Sequence, residues 1–145
     1  MVPLPVAPDP PLRPLPLLGR LVPAGFPSPA DDHLEGEIDL NEYLVRRPAA
    51  TYSMRVSGHS MTGAGILHGD LVVVDRSLEP VPGHVVVAVV GGEMIIKRLR
   101  RTRQGRTLLL AEHPDYPPVA VAEGDGDGDA VEIWGVVVGV ARRTA

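Results

Sequence analysis

Two side chains in this sequence could break a peptide bond between them. Ser60 stands in Val56-Ser57-Gly58-His59-Ser60-Met61, and Lys97 in the apolar run Glu93-Met94-Ile95-Ile96-Lys97-Arg98-Leu99. A serine hydroxyl is a poor nucleophile until its proton is removed, and a lysine removes it only when its own amine is neutral near physiological pH. The surroundings of Lys97 therefore matter most. On a strand over 93–99, alternation puts Ile95, Lys97 and Leu99 on one face, so the amine emerges between aliphatic neighbours. Burial there disfavours the charged form and lowers the pKa, by about 3–5 units in the most buried cases. A serine after glycine is also a common turn residue and a strand lysine a common solvated charge, so spacing alone leaves both readings open.

The elements that must position the pair can be read from alternation and turn residues. Tyr52, Met54 and Val56 alternate with Ser53 and Arg55, predicting a strand that ends near Ser57-Gly58, where glycine permits a tight change of direction. Ser60 then sits at a strand end, where the backbone N–H groups of Ser57 and Ser60 are candidates for an oxyanion hole. Lys97 is set by a hairpin: the apolar run His84 to Val90, a Gly91-Gly92 turn, and the strand that follows. Leu71 to Asp75, Thr107 to Ala111 and Val131 to Val140 supply further strands. Ahead of them, Asp39 caps a short helix with Glu42 completing a capping box, and Leu40, Tyr43 and Leu44 share one face as a lid on the β core. The predicted fold is a compact, mainly β domain of short strands with one short helix.

Composition narrows the class. The chain has 145 residues, enough for one compact domain and a tail. Apolar residues make up 44% and the net charge is −4, which predicts a globular core and argues against nonspecific nucleic-acid binding through overall charge. Aromatics are only 3%, so Val, Leu, Ile and Ala must build the core. The absence of cysteine excludes disulfides and thiolate chemistry and fits a reducing cytoplasm. No apolar run reaches the roughly 18 residues of a membrane span. Asp9, Arg13, Arg20 and several prolines interrupt the leucine-rich start, so it is not read as an export signal.

Residues 1–30 hold most of the 16 prolines, which predicts an extended or mobile arm that is not helical. Leu15 to Val22 is too apolar for a plain linker and is expected to dock on its own domain or on a partner subunit. The expected division is thus an arm over 1–30 and a β domain over 31–145.

Several other patterns carry no site. Glu123 to Asp129 alternates carboxylates like the start of a calcium loop, but Ala130 replaces the sharp-turn glycine and Val136 the closing glutamate. Lys97, Arg98, Arg100, Arg101, Arg103 and Arg106 form a basic cluster about a Gln104-Gly105 turn that could touch an acidic partner or a DNA backbone, but without interleaved aromatics it reads better as a solvated hairpin. The histidines at 33, 59, 68, 84 and 113 show no metal-ligand spacing, so neither a metal nor a cofactor is expected. His59 adjoins Ser60, yet neighbouring side chains on an extended backbone point apart. Trp134 falls in an apolar strand and reads as core.

Taken in order, Ala24-Gly25 in the arm, Ser57-Gly58-His59-Ser60-Met61, Gly69-Asp70 with its apolar strand, and Lys97 in the next hairpin resemble the self-cleaving UmuD proteins and the C-terminal domain of LexA repressors. Gly25-Phe26-Pro27-Ser28-Pro29-Ala30, Ile38-Asp39-Leu40-Asn41 and Ala50-Thr51-Tyr52 look specifically like UmuD. The resemblance runs from about Leu18 to about Val140. It implies a LexA C-terminal-like β domain and a serine-lysine endopeptidase of the SOS response to DNA damage that cuts its own arm. It further implies stimulation by a RecA filament on single-stranded DNA, and a trimmed homodimer that joins a UmuC-type translesion DNA polymerase. LexA repressors carry a helix-turn-helix domain ahead of this fold; the short proline-rich segment here is not expected to bind operator DNA.

The residues fit such a cut at Ala24-Gly25. An extended arm directs Val22 and Ala24 to one face, where shallow apolar pockets could take them, and Gly25 leaves room for attack. Pro23 departs from the pattern by lacking an N–H to hold the arm, and residues 1–16 match no part of it. A competing reading is a noncatalytic dimeric module whose arm masks a polymerase-binding surface. A signal peptidase would share the Ser-Lys pair but call for a membrane anchor.

Overall fold

The computed structural model describes residues 4–5, 12–18, 22, 24–25, 34–117, 119–121 and 131–145. The chain forms two units, one of residues 1–8 with 47–145 and one of residues 9–46. The boundary expected at residue 30 falls inside the smaller unit.

The smaller unit pairs β2 (Pro14–Leu18) with β3 (Leu34–Asp39) in an antiparallel ribbon, β1 being the short strand Leu4–Pro5 of the larger unit. Pro14 and Pro16 alternate along β2, so both missing N–H groups fall on one edge and the other edge is left to pair. Asp39 then caps α1 (Leu40–Leu44) by accepting from the Glu42 N–H at 2.9 Å. The Arg13 N–H also donates to Asp39, and with Glu42 it holds that carboxyl below its ordinary range. The helix is where the sequence puts it, and none of its residues is buried: Leu40 and Tyr43 are 53% and 57% exposed.

The larger unit is mainly β. Its strands are β1, β4 (Thr51–Arg55), β5 (Leu71–Asp75), β6 (Val85–Val90), β7 (Glu93–Arg101), β8 (Thr107–Leu110), β9 (Val119–Val121) and β10 (Val131–Ala141). They form one eight-stranded antiparallel sheet in the order β1-β4-β5-β10-β6-β7-β8-β9. β-Branched side chains fill the centre of this sheet, where Val72, Val74, Val86 and Val87 are fully buried. One cluster gathers Met54, Val56, Met61, Ile66, Val72, Val74 and Val87; the other gathers Val86, Ala88, Leu99, Leu109 and Val136.

Gly91 and Gly92 both have positive φ, 58° and 82°, and turn β6 directly into β7. That pair of conformations matches the right-handed twist of the flanking strands. Trp134 lies at the margin of the core, half-buried, with the Arg76 guanidinium 4.3 Å above its ring and Tyr52 against its edge. Residues 122–130, with the calcium-like pattern, and His33 lie outside the described residues.

Candidate active site

β7 carries Lys97 by the alternation of its side chains. Ile95 and Leu99, on the same face, pack into the second cluster, and the register partner of Lys97 on β6 is the fully buried Val86. Lys97 itself is half-buried. Burial lowers its pKa below the ordinary 10.5 of a lysine, because the ammonium loses part of its hydration. Among the described residues it forms no ion pair that would restore the charged form; its nearest aromatic neighbour is Tyr116, whose ring centre lies 5.5 Å from Nζ.

Ser60 is held on an irregular loop. β4 ends at Arg55, and Gly58 turns the chain with φ 95°. The Gly58 N–H donates to His68 Nδ1 at 3.0 Å, across the loop from its return limb. Buried Val56 and Met61 pin the segment on either side of the serine. The Ser60 carbonyl accepts from the Glu112 N–H at 2.8 Å, and the Gly63 N–H donates to the Glu112 carbonyl at 2.7 Å. A methyl group on Gly63 would stand 2.5 Å from that carbonyl oxygen, so glycine is required by close approach.

The return limb closes on Asp70, which is 2% exposed. Its carboxylate accepts from Arg142 Nε at 2.7 Å, Arg142 Nη2 at 2.9 Å and the Leu67 N–H at 2.7 Å. Arg142, then the Leu67 amide, draw the Asp70 carboxyl down to about 2. The backbone of Val56 and Asp70 is also joined, by a 2.8 Å bond.

These two supports bring Ser57, Ser60 and Lys97 to the lining of one groove of about 640 Å3. Met54, Val56, Met61, Val87, Met94 and Ile96 give it an apolar floor, and Arg55 and Glu93 are its other charged lining residues. Among the described residues the N–H groups of Ser57 and Ser60 form no hydrogen bond, whereas that of Gly58 is engaged with His68. A hydroxyl, a partly dried amine and free amide donors in an apolar groove are the parts that acyl transfer from an extended peptide needs.

Val22, Ala24 and Gly25 belong to the smaller unit and are exposed, Val22 to 90%. Ala24 and Gly25 lie in a bend. His59 is exposed and its ring faces His68, centroids 5.7 Å apart. Glu112 and Tyr116 escaped the sequence reading. Each lies beyond the last alternating residue of β8, and only the hairpin register, which pairs Arg98 with Leu110, shows that Glu112 comes near β7. Among the described residues no cluster of His, Asp or Glu could hold a metal, and no helix is long and apolar enough to cross a membrane.

Residues 16–138 match the Peptidase S24-like family. The chain is 43% identical over 129 residues to Protein SamA of Salmonella typhimurium, covering 89% of this chain and 86% of that one. It is 44% identical over 123 residues to Protein MucA of Escherichia coli, covering 85% and 81% respectively. With the LexA repressor of Bordetella pertussis it shares 42% identity over 128 residues, covering 88% of this chain and 56% of the repressor. The chain is a member of the Peptidase S24-like family.

Proposed function

We propose that this protein is a self-cleaving serine endopeptidase of the response to DNA damage that uses Ser60 as nucleophile and Lys97 as general base. The observation that carries the reading is that both residues line one groove, with Lys97 held below its ordinary pKa by burial. Its substrate is its own proline-rich arm, residues 1–30, presented to the peptidase-like domain of residues 31–145. Ser60 Oγ attacks the Ala24 carbonyl carbon as Lys97 Nζ takes the hydroxyl proton. The N–H groups of Ser57 and Ser60 receive the oxyanion. Lys97 returns the proton to the departing amine of Gly25, and water, activated by the same lysine, releases the acyl group from Ser60. The product is residues 25–145. Val22 and Ala24 supply small apolar side chains for the groove, and the exposure of both supports their reaching a site on the same or on a second copy.

The family resemblance supports the setting: a cytoplasmic homodimer whose cleavage is promoted by a RecA filament on single-stranded DNA, and whose trimmed form serves a UmuC-type translesion polymerase. No cofactor enters the reaction. Incubation of the purified chain across a pH series tests the chemistry. Cleavage should accelerate with rising pH as Lys97 loses its proton and level off above its lowered pKa. Ser60→Ala and Lys97→Ala should each slow it by about 10^3-fold or more, and mass spectrometry should find the new N-terminus at Gly25. A normal rate in either variant would end this mechanism, and a parent chain that never cuts itself, even with RecA and single-stranded DNA, would leave the noncatalytic dimer as the surviving reading.

A further inference from the structure

After β8 the chain turns through Glu112-His113-Pro114-Asp115-Tyr116-Pro117, and this turn meets both supports of the groove. At its start, Glu112 exchanges two backbone hydrogen bonds with the Ser60 loop, to the Ser60 carbonyl and from the Gly63 N–H. The Glu112 carboxylate meanwhile accepts from Arg98 Nε at 2.9 Å, next to Lys97 on β7. Four residues on, the Tyr116 ring lies over Lys97 with its centre 5.5 Å from Nζ. The turn is braced internally. His113 Nδ1 accepts from the Asp115 N–H at 3.1 Å, the His113 carbonyl accepts from the Tyr116 N–H at 3.2 Å, and the two rings meet edge-on at 5.2 Å.

We propose that this turn is a strap completing the site, in which Tyr116 is a positioning residue that keeps water from the Lys97 amine. The inference rests on the Ser60–Lys97 reading above. A ring over an amine has two opposed effects: its π face attracts the ammonium, and its bulk displaces the water that would solvate that ammonium. The attraction is confined to centroids within about 6 Å, so at 5.5 Å it is near its limit, while the ring, itself 41% exposed, occupies space on that side of the amine that water would otherwise fill. Shielding dominates, in keeping with burial as the cause that lowers the Lys97 pKa.

The charged and titratable groups around Lys97 are Arg55 and Glu93 in the groove and His113, Asp115 and Tyr116 in the strap. Arg98 is occupied by Glu112 and by the Gly83 carbonyl, and Val86 across the sheet is apolar. None of these forms an ion pair with Lys97 among the described residues, so removing the ring alters hydration and leaves paired charge as it was.

The test compares Tyr116→Ala and Tyr116→Phe in the full chain. Tyr116→Ala should raise the pH midpoint of self-cleavage by about one unit, lowering the neutral-pH rate about tenfold and changing the alkaline plateau by less than about twofold. Tyr116→Phe, which keeps the ring, should restore the original profile. In parallel, NMR titration of the Lys97 amine in chains that also carry Ser60→Ala reads the same shift without any cleavage. A chain that never cuts itself but shows the titration shift would therefore refute the peptidase reading and keep the strap. An unmoved or lowered Lys97 titration in Tyr116→Ala overturns the strap, as does a loss of rate that is equal at every pH.

Discussion

Ser60 and Lys97 line the same groove but stand on unlike scaffolds. Ser60 rides an irregular loop whose shape is written in polar contacts: Glu112 on the Ser60 carbonyl and the Gly63 N–H, His68 on the Gly58 N–H, and the Asp70–Arg142 clasp at the return limb. Lys97 rides a regular strand among Ile95, Leu99 and Val86. Each scaffold suits the task proposed for its side chain. A nucleophile must be aimed, and directional bonds aim it; a lysine base must be kept partly dry, and aliphatic packing does that without supplying a counter-charge. Damage to the two scaffolds should therefore be distinguishable in one experiment, because misaiming lowers the rate at all pH values while wetting the amine moves the pH midpoint.

The largest effect should come from Lys97→Arg. Arginine keeps the positive charge and a long stem but does not deprotonate in proteins, so it cannot accept the serine proton. Self-cleavage should fall by about 10^3-fold or more at every pH. A variant that still cleaves with an alkaline profile would show that another group titrates. Next in size, Leu109→Ala removes a fully buried side chain paired in register with Leu99 beneath the lysine's face. It should cost about 2–5 kcal/mol of stability, measured as a fall in the urea midpoint at constant slope, with a raised pH midpoint for any residual cleavage.

Gly63→Ala attacks the other scaffold. The added methyl meets the Glu112 carbonyl oxygen at 2.5 Å, and that oxygen cannot retreat without losing its bond to the Gly63 N–H. The loop must shift, at a cost of about 1–3 kcal/mol. The expected signature is a lower rate at every pH with the midpoint in place. A moved midpoint would mean that the two scaffolds are not separable.

The sequence made the lysine's scaffold far more legible than the serine's. Alternation over 93–99 and the Gly91-Gly92 turn are local signals, and both strands of that hairpin stand where they were expected. The Asp39 cap is equally local. The clasps around Ser60 are not: Asp70 with Arg142 joins residues 72 positions apart, and Glu112 follows β8 while Ser60 follows β4, strands that are not neighbours in the sheet. β2 and β3 were missed because prolines at 14 and 16 weaken the strand signal, although their alternation preserves one pairing edge. On the helix, a shared apolar face of Leu40 and Tyr43 need not be a buried one.

The smallest and most selective effect is expected at the Asp70–Arg142 clasp. The folded Asp70 pKa, about 2, lies below its ordinary 3.8, so as pH falls the unfolded chain takes up this proton first. The stability that Asp70 contributes is therefore complete above about pH 4 and is lost as the pH drops through its folded value near 2. Arg142→Lys keeps the cation but replaces the two-pronged contact with a point charge. It should raise the folded Asp70 pKa toward 3.8, lowering the urea midpoint at neutral pH while leaving the midpoint near pH 2 almost unchanged, so that less stability is lost on acidification; the pH midpoint of self-cleavage stays put because Lys97 lies on the other scaffold. Urea unfolding repeated across the acid range reads the first effect and the cleavage profile the second. An acid response identical to that of the parent chain would mean that charge alone, and not the forked geometry, holds the Ser60 loop closed.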